Sequence, residues 1–183
     1  GYEVVFVDIV DTIVQAMNER HEYRVVIKKN EGPDEIITVK NVRAVNANDH
    51  EAVAAEIAEA EYIATSVGKN ALTFILPVIA QGLLKRRELH GMRPLDIIIA
   101  ENIHDGAAFM KAELKKSLPE DYPIDTLVGL VETSIGKMVP IMRREDIEKD
   151  PLWIFAESYN TLILDKKGFK NKLPESPFIQ PVE

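Results

Sequence analysis

The chain has 183 residues, 46% of them apolar, which is enough for one globular domain with a substantial core. Its net charge of −8 argues against a nucleic-acid-binding surface, and its two short basic runs, 85–87 and 166–172, are predicted to be solvated faces or helix ends. The lack of cysteine excludes disulfides and thiolate metal sites, and the lack of a long apolar run argues against a membrane span, so we expect a cytoplasmic protein.

The first residues predict a strand followed by a helix. An apolar run ends in Asp8, and Val10, Ile13 and Met17 then follow helical spacing. A carboxylate at the end of the second strand of a dinucleotide-binding unit meets the adenosine ribose; the alternative role of Asp8 is to cap the helix. Because no glycine-rich phosphate loop occurs in the sequence, we expect the chain to be part of a larger enzyme, beginning after that loop.

The next elements predict an α/β fold. Three β-branched runs within residues 23–47 predict a small β insertion, and Asn48 is predicted to cap a helix that runs to about residue 60. Strand 62–66 with helix 70–87, and strand 95–100 with helix 104–117, then form two further strand–helix units. Continuous apolar strands that alternate with amphipathic helices predict a Rossmann-like, doubly wound, mostly parallel sheet with helices on both faces.

The last third of the chain is predicted to extend this sheet. A strand is expected at 126–131, and the β-rich runs at 152–157 and 161–165 are expected to form a C-terminal β-hairpin. The polar segment from Lys166 onward contains three prolines, which is typical of a linker. We therefore predict a partial nucleotide-binding domain over 1–165 and a linker over 166–183.

Polar residues follow the ends of three of the predicted parallel strands, where ligands bind in such sheets. They are Asp8, the segment 65–68, and the pair Glu101 and Asn102. Gly68 is either a turn glycine or a residue that lets a cofactor approach the backbone. Asn102 either polarises a substrate carbonyl oxygen or caps the helix that begins at His104.

Other chemistries find less support in the sequence. The four histidines show no metal-ligand spacing, so no metal site is predicted. Ser66, Thr133 and Ser134 lack the glycine-flanked turn of a nucleophilic serine, so a hydrolase is not favoured.

Short motifs lie in a fixed order along nearly the whole chain. They are Val5-Phe6-Val7-Asp8, Asn18-Glu19-Arg20-His21, Thr65-Ser66-Val67-Gly68, Gly82-Leu83-Leu84-Lys85-Arg86, Ile99-Ala100-Glu101-Asn102 with Gly106, Leu118-Pro119-Glu120-Asp121, Asp150-Pro151-Leu152, and Asp165-Lys166 followed by Phe169-Lys170 and Leu173-Pro174. In order and spacing they resemble the mannitol dehydrogenase family of polyol-specific long-chain dehydrogenases, most closely its mannitol-1-phosphate 5-dehydrogenase branch.

The resemblance implies an NAD-dependent oxidoreductase that interconverts a polyol or polyol phosphate and a ketose, of the mannitol 1-phosphate and fructose 6-phosphate type. It implies cofactor binding by Asp8, Ile9, Thr65, Ser66, Val67, Gly68, Glu101 and Asn102. Asp8 would bind the adenosine ribose and repel the 2′-phosphate of NADP, and Asn102 would help to polarise the substrate oxygen. The lysine base of the family would come from a helical C-terminal domain beyond Glu183.

The chain departs from the family in one signature. Where the family has Val-Asp-Arg shortly before a proline, this chain has Gly136 and Lys137 ahead of Pro140. Glycine removes the carboxylate, and lysine lacks the planar fork of arginine, so the identity of the substrate is left open. The same departure sustains an alternative function, a Rossmann-type module that binds or senses a nucleotide without catalysis.

Overall fold

The computed structural model of the protein describes residues 1–29, 31–136, 139, 142–159, 161–175 and 179–182. The chain divides into two compact units. The first unit comprises Gly1–Val53 and Gly136–Asn160, and the second comprises Ala54–Ile135 and Thr161–Glu183.

The first unit begins with the predicted strand and helix. Strand β1 (Val4–Asp8) leads into helix α1 (Asp11–Arg20), and strands β2 (Glu22–Lys28) and β3 (Glu35–Lys40) follow as an antiparallel hairpin. Strand β4 (Val42–Asn46) then pairs in parallel with β1 along its whole length. This is a strand–helix–strand unit in which the hairpin is an insertion.

The predicted β insertion is therefore smaller than expected. Its first two runs form the hairpin, but its third run is β4, a strand of the parallel pair. Val42 and Ala44 alternate along β4, are buried, and form one core cluster with Met17 of α1. Burial of this alternating apolar face against the helix explains why β4 joins β1 and not the hairpin.

The second unit contains the two other predicted strand–helix pairs. Helix α2 (His50–Glu59) connects the units along the chain, and the elements that follow are β5 (Tyr62–Thr65), α3 (Lys69–His90), β6 (Leu95–Ile99), α4 (Gly106–Ser117), α5 (Ile124–Leu127) and β7 (Val128–Ile135). Strands β5, β6 and β7 pair in parallel, and every residue of β6 is buried. Within the described part of the chain, no helix combines the length and apolar character needed to cross a membrane.

Among the described residues, the predicted C-terminal hairpin does not form. After helix α6 (Arg144–Lys149), strand β8 (Trp153–Glu157) pairs in parallel with β2 in the first unit. Strand β9 (Leu162–Asp165) pairs antiparallel with β7 in the second unit. The two runs are close in sequence, but each pairs with a different sheet.

The segment predicted as a linker belongs, where it is described, to the second unit. Strand β10 (Ile179–Val182) pairs in parallel with β9. Before it, the backbone N–H groups of Lys170 and Asn171 donate to the two carboxylate oxygens of Asp96 at 2.7 and 3.0 Å. Asp96 is fully buried, and a buried carboxylate needs such donors, which the composition of the segment could not reveal.

A second buried charged residue lies in the basic run predicted to be a solvated face or a helix end. Arg86 on α3 is only 3% exposed. Its guanidinium donates to the carbonyl oxygens of Ala58, Ala60, Arg93 and Pro94 at 2.7 to 3.2 Å. Burial, and then the charge of Arg93, lower the pKa of Arg86. The side chain thus joins the end of α2 to the segment that precedes β6.

Candidate functional site

In the second unit, the parallel strands β5, β6 and β7 bring three segments to one edge of the sheet. We call this the carboxyl edge, and it comprises Thr65–Gly68, Ala100–Asn102, and the pair Glu132 and Thr133. Ligands of open parallel sheets bind at such an edge. The first two segments are those singled out from the sequence, whereas the pair on β7 was not selected as a binding element.

Glu101 joins the first two segments. Its side chain is buried, and its two carboxylate oxygens accept hydrogen bonds from the backbone N–H groups of Val67 at 2.9 Å and Gly68 at 2.8 Å. Gly68 precedes the first residue of α3 and has a φ of +83°, which residues with a side chain rarely adopt. The carboxylate therefore satisfies backbone donors where the helix begins and where its dipole is positive.

The other residues of the first segment differ in exposure. Thr65 is 3% exposed, and its hydroxyl oxygen has no hydrogen-bond partner among the described residues. Its carbonyl oxygen accepts from the backbone N–H of Ala100 at 3.0 Å, which fixes the strand end. Ser66, Val67 and Gly68 are exposed. Residues 66–68 are thus accessible at the carboxyl edge, whereas the Thr65 hydroxyl is enclosed.

Asn102 is exposed at the start of the turn between β6 and α4. The helix begins at Gly106, with Asp105 as the residue before it, so Asn102 does not occupy the capping position that was its alternative role. The turn is held at both ends by β7. The Thr133 hydroxyl donates to the Ile99 carbonyl oxygen at 2.8 Å, and a Glu132 carboxylate oxygen accepts from the Ala107 N–H at 3.0 Å.

In the first unit, Asp8 ends β1 and is half-buried. One of its carboxylate oxygens accepts from the backbone N–H of Val10 at 2.8 Å. Val10 itself precedes the first helical residue, so Asp8 forms a local turn two residues ahead and does not cap α1. A carboxylate offers about four acceptor positions, which leaves capacity for ribose hydroxyls. Ile9 is 70% exposed.

Carboxylates accept from backbone N–H groups at or just before the beginnings of all four long helices that the structure describes. Asp8 accepts from Val10 beside α1, and Asp49 accepts from the Ala52 N–H at 3.0 Å in α2. Glu101 accepts from Val67 and Gly68 just before α3, and Glu132 accepts from the Ala107 N–H within α4. Helix beginnings are the usual binding positions for phosphate, and a carboxylate there repels an anion. In α2 and α4 the carboxylate accepts from an N–H of the helix itself, so a pyrophosphate at either of these two ends would meet a negative charge.

The remaining candidates carry less structural information. Gly136 is described, and a Cβ added there would meet the ring of Tyr159 at 3.2 Å. Lys137 and Pro140, which complete the altered signature, lie outside the described residues. Among the described residues, the structure contains no group of three or more histidine, cysteine, aspartate or glutamate side chains placed to hold a metal ion.

The sequence matches one family model and several curated relatives. The family model, the mannitol dehydrogenase Rossmann domain, matches residues 1–177. The mannitol-1-phosphate 5-dehydrogenase of Streptococcus mutans serotype c is 36% identical over 175 residues, which are 93% of this chain and 44% of that protein. The enzyme of the same name from Lactiplantibacillus plantarum is 33% identical over 174 residues, with the same two coverages. The chain thus spans less than half the length of these relatives.

Solved structures share the fold. A D-sorbitol dehydrogenase in substrate-free form aligns with a TM-score of 0.80 at 14% identity, over 99% of this chain and 48% of that one. The Pseudomonas fluorescens mannitol 2-dehydrogenase, in a ternary complex with NAD and D-mannitol, aligns with a TM-score of 0.75 at 14% identity, over 97% and 46%. The predicted Rossmann-like α/β fold is confirmed.

Proposed function

Because the chain belongs to the mannitol dehydrogenase family as its Rossmann domain, we propose that it is the nucleotide-binding part of an NAD-dependent polyol or polyol-phosphate dehydrogenase. The proposal rests mainly on the family match over residues 1–177, together with exposed polar groups at the ends of parallel strands. The mannitol-1-phosphate 5-dehydrogenase relatives favour mannitol 1-phosphate and fructose 6-phosphate as the reacting pair.

The described residues fit part of an adenine dinucleotide. Asp8 has acceptor capacity for the adenosine ribose hydroxyls, and its charge would oppose the 2′-phosphate of NADP. Exposed residues 66–68 offer backbone and small side chains along which a cofactor can lie. The pyrophosphate does not fit the beginnings of α2 and α4, because a carboxylate accepts from an N–H of each helix there. We propose that a glycine-rich turn upstream of these residues binds it.

Catalysis would combine this chain with residues outside it. When bound, NAD supplies the hydride acceptor for the alcohol carbon. Asn102, exposed at the carboxyl edge, would donate a hydrogen bond to the substrate oxygen as its charge changes. A lysine from a helical domain beyond residue 183 would take the hydroxyl proton. In this proposal the present chain binds and orients the cofactor and contributes one amide to the reacting oxygen.

Two of the parallel strands have an edge at which a further strand could pair. Among the described residues, β1 pairs only with β4, and β5 pairs only with β6. Each of these two parallel strands therefore has one unpaired edge, which a further strand of a doubly wound sheet would cover. We propose that a strand and phosphate loop upstream of Gly1 complete the nucleotide-binding domain.

The test is an assay of the longer protein that contains this chain together with the segments before and after it. We expect NADH formation from NAD and mannitol 1-phosphate, and NADH oxidation with fructose 6-phosphate, whereas the 183-residue chain alone gives neither. Asn102→Ala should lower kcat by about 10²-fold, the scale for loss of one donor to a developing oxyanion. A longer protein that binds NADH but converts neither mannitol 1-phosphate nor fructose 6-phosphate would favour the non-catalytic nucleotide-binding module.

A further inference from the structure

Two glutamates repeat one arrangement along the carboxyl edge. Glu101, at the end of β6, accepts from backbone N–H groups at the beginning of α3, the helix that follows the neighbouring strand β5. Glu132, on β7, accepts from a backbone N–H at the beginning of α4, the helix that follows its neighbouring strand β6. In both cases the carboxylate of one strand fixes the turn of the strand beside it.

We propose that the two glutamates are positioning residues with separate tasks: Glu101 holds the turn that contacts NAD, and Glu132 holds the turn that carries Asn102. The inference rests on the proposed function. Neither glutamate needs to touch the substrate or the cofactor for these tasks, because each acts through the backbone that it fixes.

The case for Glu101 lies in how its carboxylate is used. Both oxygens accept from successive backbone N–H groups, those of Val67 and Gly68, and the side chain is 8% exposed. A carboxylate suits two donors because it carries only acceptors, whereas a glutamine would place an NH₂ group against one backbone N–H. Loss of this contact would release the turn at residues 66–68, which contributes exposed groups to the cofactor site.

The case for Glu132 lies in the turn between Ile99 and Ala107. Thr133 holds the Ile99 carbonyl at one end, and Glu132 holds the Ala107 N–H at the other, so adjacent residues of β7 fix both ends. Within the turn, Gly106 packs closely against Ile103. A Cβ added to Gly106 would lie 3.2 Å from the nearest atom of the Ile103 side chain. Asn102 is exposed on this braced turn, and small displacements of a polarising group cost rate.

The two tasks predict effects on different kinetic constants in the longer protein. Glu101→Gln should raise the KM for NAD about tenfold and leave kcat within about threefold, because ground-state binding of the cofactor is weakened. Glu132→Ala, which removes the single acceptor for the Ala107 N–H, should lower kcat about tenfold and leave the KM for NAD within about threefold, because Asn102 is less well placed in the transition state. Glu88→Gln on α3 and Glu113→Ala on α4 are matched controls away from the carboxyl edge and should change neither value.

Amide hydrogen exchange provides a second readout that does not depend on turnover. Exchange should accelerate at Val67 and Gly68 in Glu101→Gln and at Ala107 in Glu132→Ala, while the core amides of β6 remain protected. Equal changes of both kinetic constants in both variants, or unchanged exchange at these amides, would overturn the inference. A wild-type protein that fails to bind NADH would instead refute the proposed function, and the positioning roles with it.

Discussion

Replacing Gly129 with alanine should destabilise the second unit by about 3–5 kcal/mol, the sum of a steric clash and broken hydrogen bonds in the core. Gly129 on β7 lies opposite Asp96 on β6. A Cβ at Gly129 would lie 1.9 Å from a carboxylate oxygen of Asp96 and 2.7 Å from the carbonyl oxygen of Gly168. Neither neighbour is the free end of a flexible side chain, so the new methyl group must displace the carboxylate or the backbone.

The Asp96 carboxylate is held by three hydrogen bonds from Lys170 and Asn171, so its displacement also releases the segment that leads to β10. Urea denaturation followed by far-ultraviolet circular dichroism measures the loss. Gly136→Ala, whose Cβ would meet only the ring of half-exposed Tyr159, is the control and should change stability by less than about 1 kcal/mol. If Gly129→Ala is as stable as this control, the described packing of β7 is incorrect.

A double-mutant cycle isolates the clash. Asp96→Ala alone removes the three hydrogen bonds, and it also removes the carboxylate that the Gly129 methyl group would strike, but it leaves the contact with the Gly168 carbonyl oxygen. The double variant should therefore lose less stability than the sum of the two single losses. Full additivity of the two losses would place the cost of the Gly129 substitution elsewhere.

Arg86→Met should destabilise the protein by about 3–5 kcal/mol, because it leaves one buried and three part-buried carbonyl oxygens without their charged donor. Methionine has a similar length and fills the same volume, so the loss reports hydrogen bonding more than packing. Arg86→Lys should recover only part of it, since one ammonium group cannot reach four carbonyls that a planar guanidinium spans.

Arg87 is the matched control for Arg86. It is the next residue of the same helix, is about one-third exposed, lies 3.8 Å from Asp121, and faces the ring of Tyr122 at 5.6 Å. Exposed ion pairs contribute little, so Arg87→Met should cost less than about 1 kcal/mol in the same urea titration. A cost below about 1 kcal/mol at both positions would show that the run 85–87 acts as a solvated surface, as its composition first indicated.

The elements that the sequence predicted well are those whose signal is local. Continuous apolar runs followed by helical periodicity identified β1, β5, β6 and their helices, because both patterns lie within a short stretch of sequence and do not depend on which strands pair. Strand pairing is not local. The runs that became β8 and β9 have the composition of a hairpin, yet β8 adds to β2 and β9 adds to β7.

The sequence analysis missed polar residues whose role depends on a partner far away along the chain. Arg86 stands in a basic run and Asp96 in an apolar strand, and nothing nearby indicates that carbonyls or backbone N–H groups from other elements will meet them. Glu132 was missed for the same reason. Glu101 and Asn102 were found because they directly follow a recognisable strand, although the hydrogen bonds of Glu101 to the neighbouring turn could not be foreseen.

Asp8 is proposed to hold the adenosine ribose of NAD, and its charge provides the most direct test. Binding of NADH and NADPH to the longer protein can be compared by nicotinamide fluorescence. We expect NADH to bind about 10²-fold more tightly than NADPH, because a carboxylate facing the 2′-phosphate costs several kcal/mol. Asp8→Ser retains an oxygen for the Val10 N–H and should reduce the preference to within about fivefold, whereas Asp11→Ser should leave it unchanged. Equal affinities in the wild type, or an unchanged preference in Asp8→Ser, would contradict a ribose-binding role for Asp8.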